Sequence, residues 1–368
     1  MPERALHTYR RYDCSANFGG VIVEAFNSLD DLLNSIEREQ TTYEIQSAFI
    51  KAWSKIHGYP AQDGKAAWTM YPVIMVSISG GADSDIMLDM IERIGYPLSK
   101  IHYVFFNTGL EFNATKEHLE YLEEKYGIQI ERHSAKVPVP LGVRKYGCPF
   151  LSKQVSQYIS RLQKHNFKWE DKSFEELYAE YPHCKAALRW WCNKWGEKSK
   201  MNISYNRFLK EFMIANPPDF PISDGCCNGA KKYTAKAVEK EINPNLSCQG
   251  VRKAEGGARS TAYSSCFDEN FGEADRFRPI FWLKKEDKAA YESLFGIVHS
   301  DCYTKYGLDR TGCACCPFGK NFEKELSAAQ QFEPNLYRAA IHVFGKSYDY
   351  TRRYREFCKQ MKRKEKGR

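Results

Sequence analysis

Ser79-Gly80-Gly81-Ala82-Asp83-Ser84 brings together the parts of an anion site: small residues that let the backbone close on a phosphate, two hydroxyls and a carboxylate. It directly follows the apolar run Val73–Ile78, and Asp85 to Ile94 carry apolar residues at helical spacing. A buried strand, a glycine-rich turn and a helix N-terminus then meet at one point, where free N–H groups and the helix dipole favour an anion. A glycine pair alone is common in such turns; the whole string in this setting is far more specific. No Gly-Lys-Ser/Thr ending follows, which disfavours a phosphate loop of the GTPase or kinase type. Asp83 has two compatible readings, one through a metal held at the phosphates and one as a cap of the helix start.

The second group is sulfur. Of the 13 cysteines, Cys226-Cys227 is followed, 86 residues after Cys227, by Cys313-Ala-Cys315-Cys316 within Thr311–Gly319. Thiolates spaced as Cys313 and Cys316 can chelate one centre, and a distant pair completes a four-sulfur set. Three readings stay open: an iron–sulfur cluster, a structural zinc site, and separate buried thiols. Cys315 has the wrong spacing and reads as spare. Cys266 is a substitute for one of the adjacent pair, whose thiolates are awkward to aim at one centre. Cys14, Cys148, Cys184, Cys192, Cys248, Cys302 and Cys358 are taken as structural, with a reservation for Cys358 as a reactive thiol on a mobile basic tail.

A chain of 368 residues, 43% hydrophobic, can bury a full core and is expected to hold two domains. No apolar run approaches the roughly 20 residues of a membrane span, and the N-terminus has no apolar signal core. A cytoplasmic protein is expected, whose thiols stay reduced rather than forming a disulfide framework. The net charge of +8 suits polyanionic ligands, either nucleotides or nucleic acid.

The elements that must position these groups follow a strand–helix–strand rhythm. His102–Phe106 reads as a second strand, Ala114 to Tyr126 as a helix, and Ile128 to Arg132 as a third strand. That alternation predicts an α/β fold with a parallel sheet flanked by helices. Ligands sit at the carboxyl ends of such strands, where Ser79 and Asn107-Thr108-Gly109 would fall. Leu29–Glu37 and Thr42–Ile56 have helical periodicity, and Gly58–Gly64 breaks it. The stretch from Cys148 to Ala215 is rich in aromatics and Lys and reads as a helical insert. Its tryptophans are read as helix packing, with a base-stacking surface as the functional alternative. Beyond Tyr348 the chain ends as a basic helix or tail.

Several segments together resemble the phosphoadenosine-phosphosulfate (PAPS) reductase family and the wider PP-loop adenine-nucleotide α-hydrolases, which include DNA-phosphorothioation sulfurtransferase components. Ser79–Ser84 resembles the PP-loop. Asn107-Thr108-Gly109-Leu110-Glu111-Phe112 is similar to the D-T-G-x-x-F segment after the second strand. Gly250-Val251-Arg252-Lys253-Ala254-Glu255, with Arg259, is similar to G-[VIL]-R-x-x-[ED]-…-R, and Arg278–Trp282 to P-[IL]-x-x-W. Tyr306–Cys313 resembles G-Y-x-R-x-G-C. The likeness runs from Tyr71 to Gly345, roughly three quarters of the chain.

The resemblance implies a PP-loop nucleotide-binding domain over 71–220 with an insert at about 148–215, and a substrate and iron–sulfur region over 221–345. A helical extension (1–70) and a basic tail (346–368) flank them. Ser79, Gly80, Gly81 and Ser84 would hold the nucleotide phosphates, Asn107, Thr108 and Gly109 would shape the adenosine pocket, and Arg252 and Arg259 would clamp the remaining anion. Lys231 and Lys232 would face the anion or the cluster. Cys226, Cys227, Cys313 and Cys316 would carry a [4Fe–4S] cluster. Two departures matter: the loop has the SGGxDS form of enzymes that cleave ATP rather than the reductases' S-x-G-x-[ED]-S, and no E-C-G-x-H nucleophile motif is present.

The leading expectation is therefore an enzyme that binds ATP with Mg²⁺, releases pyrophosphate and supports sulfur transfer to an acceptor, for which nucleic acid is the candidate. One alternative is a sulfonucleotide reductase acting on APS or PAPS; another is a non-catalytic nucleic-acid-binding protein. The sulfur or electron donor and the oligomeric state, a homo-oligomer included, stay open.

Overall fold

The computed structural model describes residues 25–26, 28–38, 41–57, 69–256, 262–270 and 272–366. Six strands form one sheet: β1 Val73–Ile78, β2 Lys100–Asn107, β3 Ile130–Ser134, β4 Leu246–Gln249, β5 Phe267–Asp268 and β6 Asp275–Phe277. Their spatial order is β3-β2-β1-β4-β6-β5, parallel throughout except for the edge pair β5–β6. Among the helices, α1 is Leu29–Arg38, α2 Tyr43–Ile56, α3 Ala82–Ile94, α4 Asn113–Tyr126 and α5 Val139–Tyr146. Helices α3 and α4 make the β1–β2 and β2–β3 crossovers. The α/β parallel sheet flanked by helices is the fold class expected from the sequence.

Strand β1 is a continuous apolar run because both its faces are covered: Ile74, Met75, Val76 and Ile78 are all buried. The third strand begins two residues later than its sequence reading. Gly127 closes α4 in a left-handed conformation (φ 62°), and Ile128 N–H is still donated to the helix at Glu123 O (3.2 Å). Helix α2 belongs to the main core, where Phe49 stacks on Tyr291 with ring centroids 5.8 Å apart.

The insert builds a second core of its own around Phe150, Trp190, Trp191 and Phe212, and Tyr350 and Tyr354 complete it from the helix Pro334–Lys366. Trp169, Trp190 and Trp191 are buried there, so these rings pack helices and present no stacking surface. The division at 345/346 falls inside this continuous 33-residue helix. Tyr350 Oη donates to Asn216 O (2.7 Å) and Tyr354 Oη to Arg207 O (2.8 Å), which ties the helix to the insert. Cys358 lies on the same packed helix with its thiol on Arg207 O (3.4 Å), and burial pushes its pKa up. Cys14 and the 58–64 breaker lie outside the described residues, apart from the helix end before them.

Candidate functional site

Strands lead away from β1 in opposite directions, β2 and β3 on one side and β4 and β6 on the other. The crevice at the carboxyl ends of β1 and β4 is thus the topological switch point of the sheet, the usual ligand position in open α/β folds. Ser79–Ser84 turns there from β1 into α3. Gly80 adopts φ +65°, and a Cβ on it would stand 2.8 Å from Thr115 Cγ2, so glycine is required twice over. Gly81 caps α3. Ser84 Oγ accepts from Ser79 N–H and Gly81 N–H (both 3.2 Å) and donates to Gly81 O (2.8 Å), holding the turn from inside. Ala82 N–H, at the helix start, donates to the Tyr303 hydroxyl (3.1 Å), a contact across 221 residues.

Asp83 does not cap the helix. Its Oδ1 accepts from Arg252 Nε (2.9 Å) and Lys288 Nζ (3.1 Å), so a carboxylate and two cations converge beside the loop. Arg252 arrives from the end of β4 on a close backbone approach. A Cβ on Gly250 would meet Asp83 O at 2.8 Å, Ser84 Cα at 2.9 Å and Asp83 C at 3.0 Å, all main-chain atoms that cannot rotate away. Gly250→Ala is therefore expected to cost about 1–3 kcal/mol by overpacking and to weaken nucleotide binding more than tenfold. Parallel thermal melts and nucleotide titrations check it, and an unaltered affinity would refute the close-approach argument.

Behind the loop runs a buried polar chain. Asp85 accepts from His118 Nε2 (3.0 Å) and His299 Nδ1 (2.8 Å), and His299 Nε2 meets Glu292 Oε1 (2.7 Å). Lys288 reaches both Glu292 (3.5 Å) and Asp83, which closes the chain back onto the cradle. Burial would raise the Asp85 carboxyl, but the hydrogen bonds and charges of His118 and His299 outweigh it and hold it below the usual carboxylate range. Burial would lower His299, yet Asp85 and Glu292 raise it to about 9. A raised histidine stabilises the fold fully below its ordinary 6.5, and that contribution is lost as pH rises through about 9. The thermal midpoint should fall over this window, and His299→Gln should flatten that fall; identical pH profiles would exclude the effect.

The turn after β2 brings in sulfur. Thr108 donates its N–H to Glu111 Oε1 (2.7 Å) and its hydroxyl to the same oxygen, and Thr108 Oγ1 lies 3.3 Å from Cys313 Sγ. Asn107 Oδ1 accepts from Gly109 N–H (2.9 Å). Ala314 N–H donates to Leu110 O (2.7 Å), and Cys226 Cα lies 3.0 Å from where a Cβ would stand on Gly142 of α5. Cys226, Cys227, Cys313 and Cys316 act on one another electrostatically. The hydrogen bond to Cys227, burial, and the charges of Cys227, Cys316 and Cys313 all push the Cys226 thiol up. The same hydrogen bond brings Cys227 down to about 6 against burial, with help from Lys153 and Lys231. Cys313 is the largest influence raising the Lys231 ammonium, and Cys227 and Cys316 add to it.

Among the described residues no three His, Cys, Asp or Glu side chains are grouped as ligands of a metal ion. Cys266 stands beside edge strand β5, its carbonyl accepting from Arg278 N–H (2.7 Å), and is not among the main groups that shift Cys226, Cys227 or Cys316. Cys315 is fully buried, adopts φ 55°, and its carbonyl accepts from Tyr348 Oη (2.6 Å). Arg259 lies outside the described residues. Lys288, His118, Glu292, His299 and Tyr303 carried no sequence signal. Asp85 carried only its adjacency to the motif, and Glu111 its place in the segment after β2.

The phosphoadenosine phosphosulfate reductase domain family matches residues 73–318. The chain belongs to that family. No match appears among curated proteins. Among solved structures, the chain is similar to the PAPS reductase of Candida auris in a phosphate complex: 11% identity and TM-score 0.37, covering 79% of this chain and 97% of that one. It is also similar to the U34-tRNA thiolase NcsA of Methanococcus maripaludis with its [4Fe-4S] cluster: 12% identity and TM-score 0.35, over 85% and 79% of the two chains. The FMN adenylyltransferase of Candida glabrata, in complex with FAD and inorganic pyrophosphate, gives 12% identity and TM-score 0.34, over 73% and 64%.

Proposed function

We propose that this family member binds ATP with Mg²⁺ at Ser79–Ser84, transfers AMP to an acceptor oxygen with release of pyrophosphate, and supports displacement of that oxygen by a sulfide-level sulfur donor, the oxygen leaving on AMP. The observation that carries the reading is the junction of two sites. The loop that ends β1 reaches Tyr303 and Thr311, whose Oγ1 stands 3.0 Å from where a Cβ on Gly81 would lie, and Cys313 follows two residues later against Thr108 at the end of β2. Anion cradle and thiols thus occupy adjacent strand ends.

The Gly80 and Asp83 amides and the Ser79 hydroxyl bind and orient the phosphates, and Arg252 and Lys288 stabilise charge developing on the leaving pyrophosphate. Asp83 positions both cations or serves a magnesium ion. Asn107, Thr108 and Gly109 border the adenosine side. Four thiols, one of them held below the usual thiol range by its hydrogen bond to Cys226 and by the charges of Lys153 and Lys231, suit a thiolate-ligated cluster. Cys226, Cys227, Cys313 and Cys316 would hold a [4Fe–4S] cluster. Bound there, it supplies a site for activating sulfur. Nucleic acid is the acceptor class favoured by the chain's net positive charge. No described helix is long and apolar enough to cross a membrane, and free thiols suit a reducing cytoplasm.

Pyrophosphate release from ATP by anaerobically purified protein, with and without Mg²⁺, tests the reading. Mg²⁺-dependent release supports it. Sulfite release from APS or PAPS on thioredoxin addition, without ATP cleavage, would replace it with the reductase alternative, in which the partly buried Cys358 or another thiol would have to serve as nucleophile.

A further inference from the structure

Charge is divided along the two cores. The insert, residues 148–215, has twelve Lys and Arg against seven Asp and Glu, and the helix Pro334–Lys366 has ten against three. Together they carry a net +12, so the rest of the chain, sheet included, is net −4 against the total of +8. These two segments share one hydrophobic core. Many of the insert's cations are consumed locally, as in Lys168–Glu180, Lys172–Glu170 and Lys210–Asp171. The end of the helix differs. Lys362, Arg363, Lys364 and Lys366 are exposed, and none makes an ion pair among the described residues.

A helix C-terminus favours cations by about 0.3–1 kcal/mol each, which one or two residues would satisfy. Four within five positions, including an i,i+4 like-charge pair, repel one another. A polyanion relieves that repulsion.

We propose that the exposed end of this helix, through Lys362, Arg363, Lys364 and Lys366, docks the phosphodiester backbone of a nucleic acid. The inference rests on the reading of the acceptor as nucleic acid and gives it a surface. Recognition is through phosphates, because Trp169, Trp190 and Trp191 are buried and unavailable for stacking. The geometry joins this surface to the chemistry. Tyr348, on the same helix, holds the carbonyl of Cys315 (2.6 Å), and fourteen residues at about 1.5 Å each set Lys362 some 20 Å farther along the axis. A docked strand spanning about six base pairs, at roughly 3.4 Å per pair, covers that distance.

The test is fluorescence anisotropy of the anaerobically purified full chain with a labelled DNA duplex of about 20 base pairs and an RNA hairpin of equal length, across a salt series. The wild type should bind at least one of them, with affinity falling steeply as salt rises. The variant Lys362→Gln/Arg363→Gln/Lys364→Gln/Lys366→Gln should bind at least tenfold more weakly and lower the log–log salt slope by about 3–4, near 0.9 per lost phosphate contact. Replacing the three lysines by arginine should keep both affinity and slope. Failure of the wild type to bind either probe, an unchanged slope in the glutamine variant, or binding to phosphatidylserine vesicles in place of nucleic acid would each overturn the proposal. Acceptor-independent pyrophosphate release is measured on the same samples. Its absence counts against the ATP reading alone, since docking is read without nucleotide.

Discussion

Asp83→Asn is expected to abolish Mg²⁺-dependent pyrophosphate release, by at least about 100-fold, the scale of losing one preorganised charge-stabilising group. The side chain lies at the carboxyl end of β1, and its carboxylate accepts from Arg252 at 2.9 Å and Lys288 at 3.1 Å. Asparagine keeps the shape and one acceptor oxygen but removes the charge that aligns both cations and would serve a metal. The fold should survive, because asparagine keeps an acceptor oxygen for the two cations and each has a further partner, Arg252 at Leu283 O and Lys288 at Glu292. A thermal midpoint within a few degrees of wild type, alongside lost turnover, is the expected pair of results. Unchanged turnover would remove Asp83 from the mechanism. Arg252→Gln separates the two roles: if Asp83 acts only by orienting cations, this variant should lose as much activity as Asp83→Asn.

Cys313→Ala is expected to yield colourless protein that has lost its iron and acid-labile sulfide, whereas wild type purified anaerobically should be brown. Cys313 sits 3.3 Å from the Thr108 hydroxyl and is the largest influence on Lys231, so its loss removes a donor at the point where the thiols meet the β2 turn. Pyrophosphate release should persist, because the cradle draws on β1, β4 and Lys288 rather than on sulfur. Cys315→Gly is the contrasting variant. Cys315 holds a left-handed φ of 55° and its carbonyl accepts from Tyr348, so glycine should relieve backbone strain of about 1 kcal/mol or more, offset in part by the buried side chain it removes from the core, and leave the iron in place. Metal analysis and visible absorption of both variants decide the matter. Bound zinc in colourless wild-type protein would assign the thiols to a structural site instead.

The parts of this site that were legible in the sequence are those written within a few residues. Val73–Ile78 reads as a strand because an apolar run between turn signals needs only its own composition, and Gly80 and Gly81 announce a turn that other residues cannot make. The four cysteines are legible as a set because two adjacent thiols and a C-x-x-C pair stand out from the rest. Strand β4 was not legible: Leu246-Ser-Cys-Gln has no pattern of its own and becomes a strand through pairing with β1 and β6. Beyond Tyr348 the sequence showed only a basic helix or tail, because the apolar stripe of Tyr350, Tyr354 and Phe357 finds its partner in an insert about 140 residues earlier.

By itself the sequence determined the kind of chemistry on offer: a phosphate-binding turn at the end of a strand, sulfur donors in two groups, and an alternation of strand and helix that requires a parallel sheet. Turn conformation, periodicity and ligand type act between near neighbours, so one pass along the chain recovers them. Tertiary structure alone decided that Asp83 pairs with Arg252 and Lys288, that Asp85 is held by His118 and His299 from 33 and 214 residues away, and that Cys266 adjoins β5, at the far edge of the sheet from β2 and β3. Those outcomes depend on which side chains lose water together, and strand order, not local sequence, sets that.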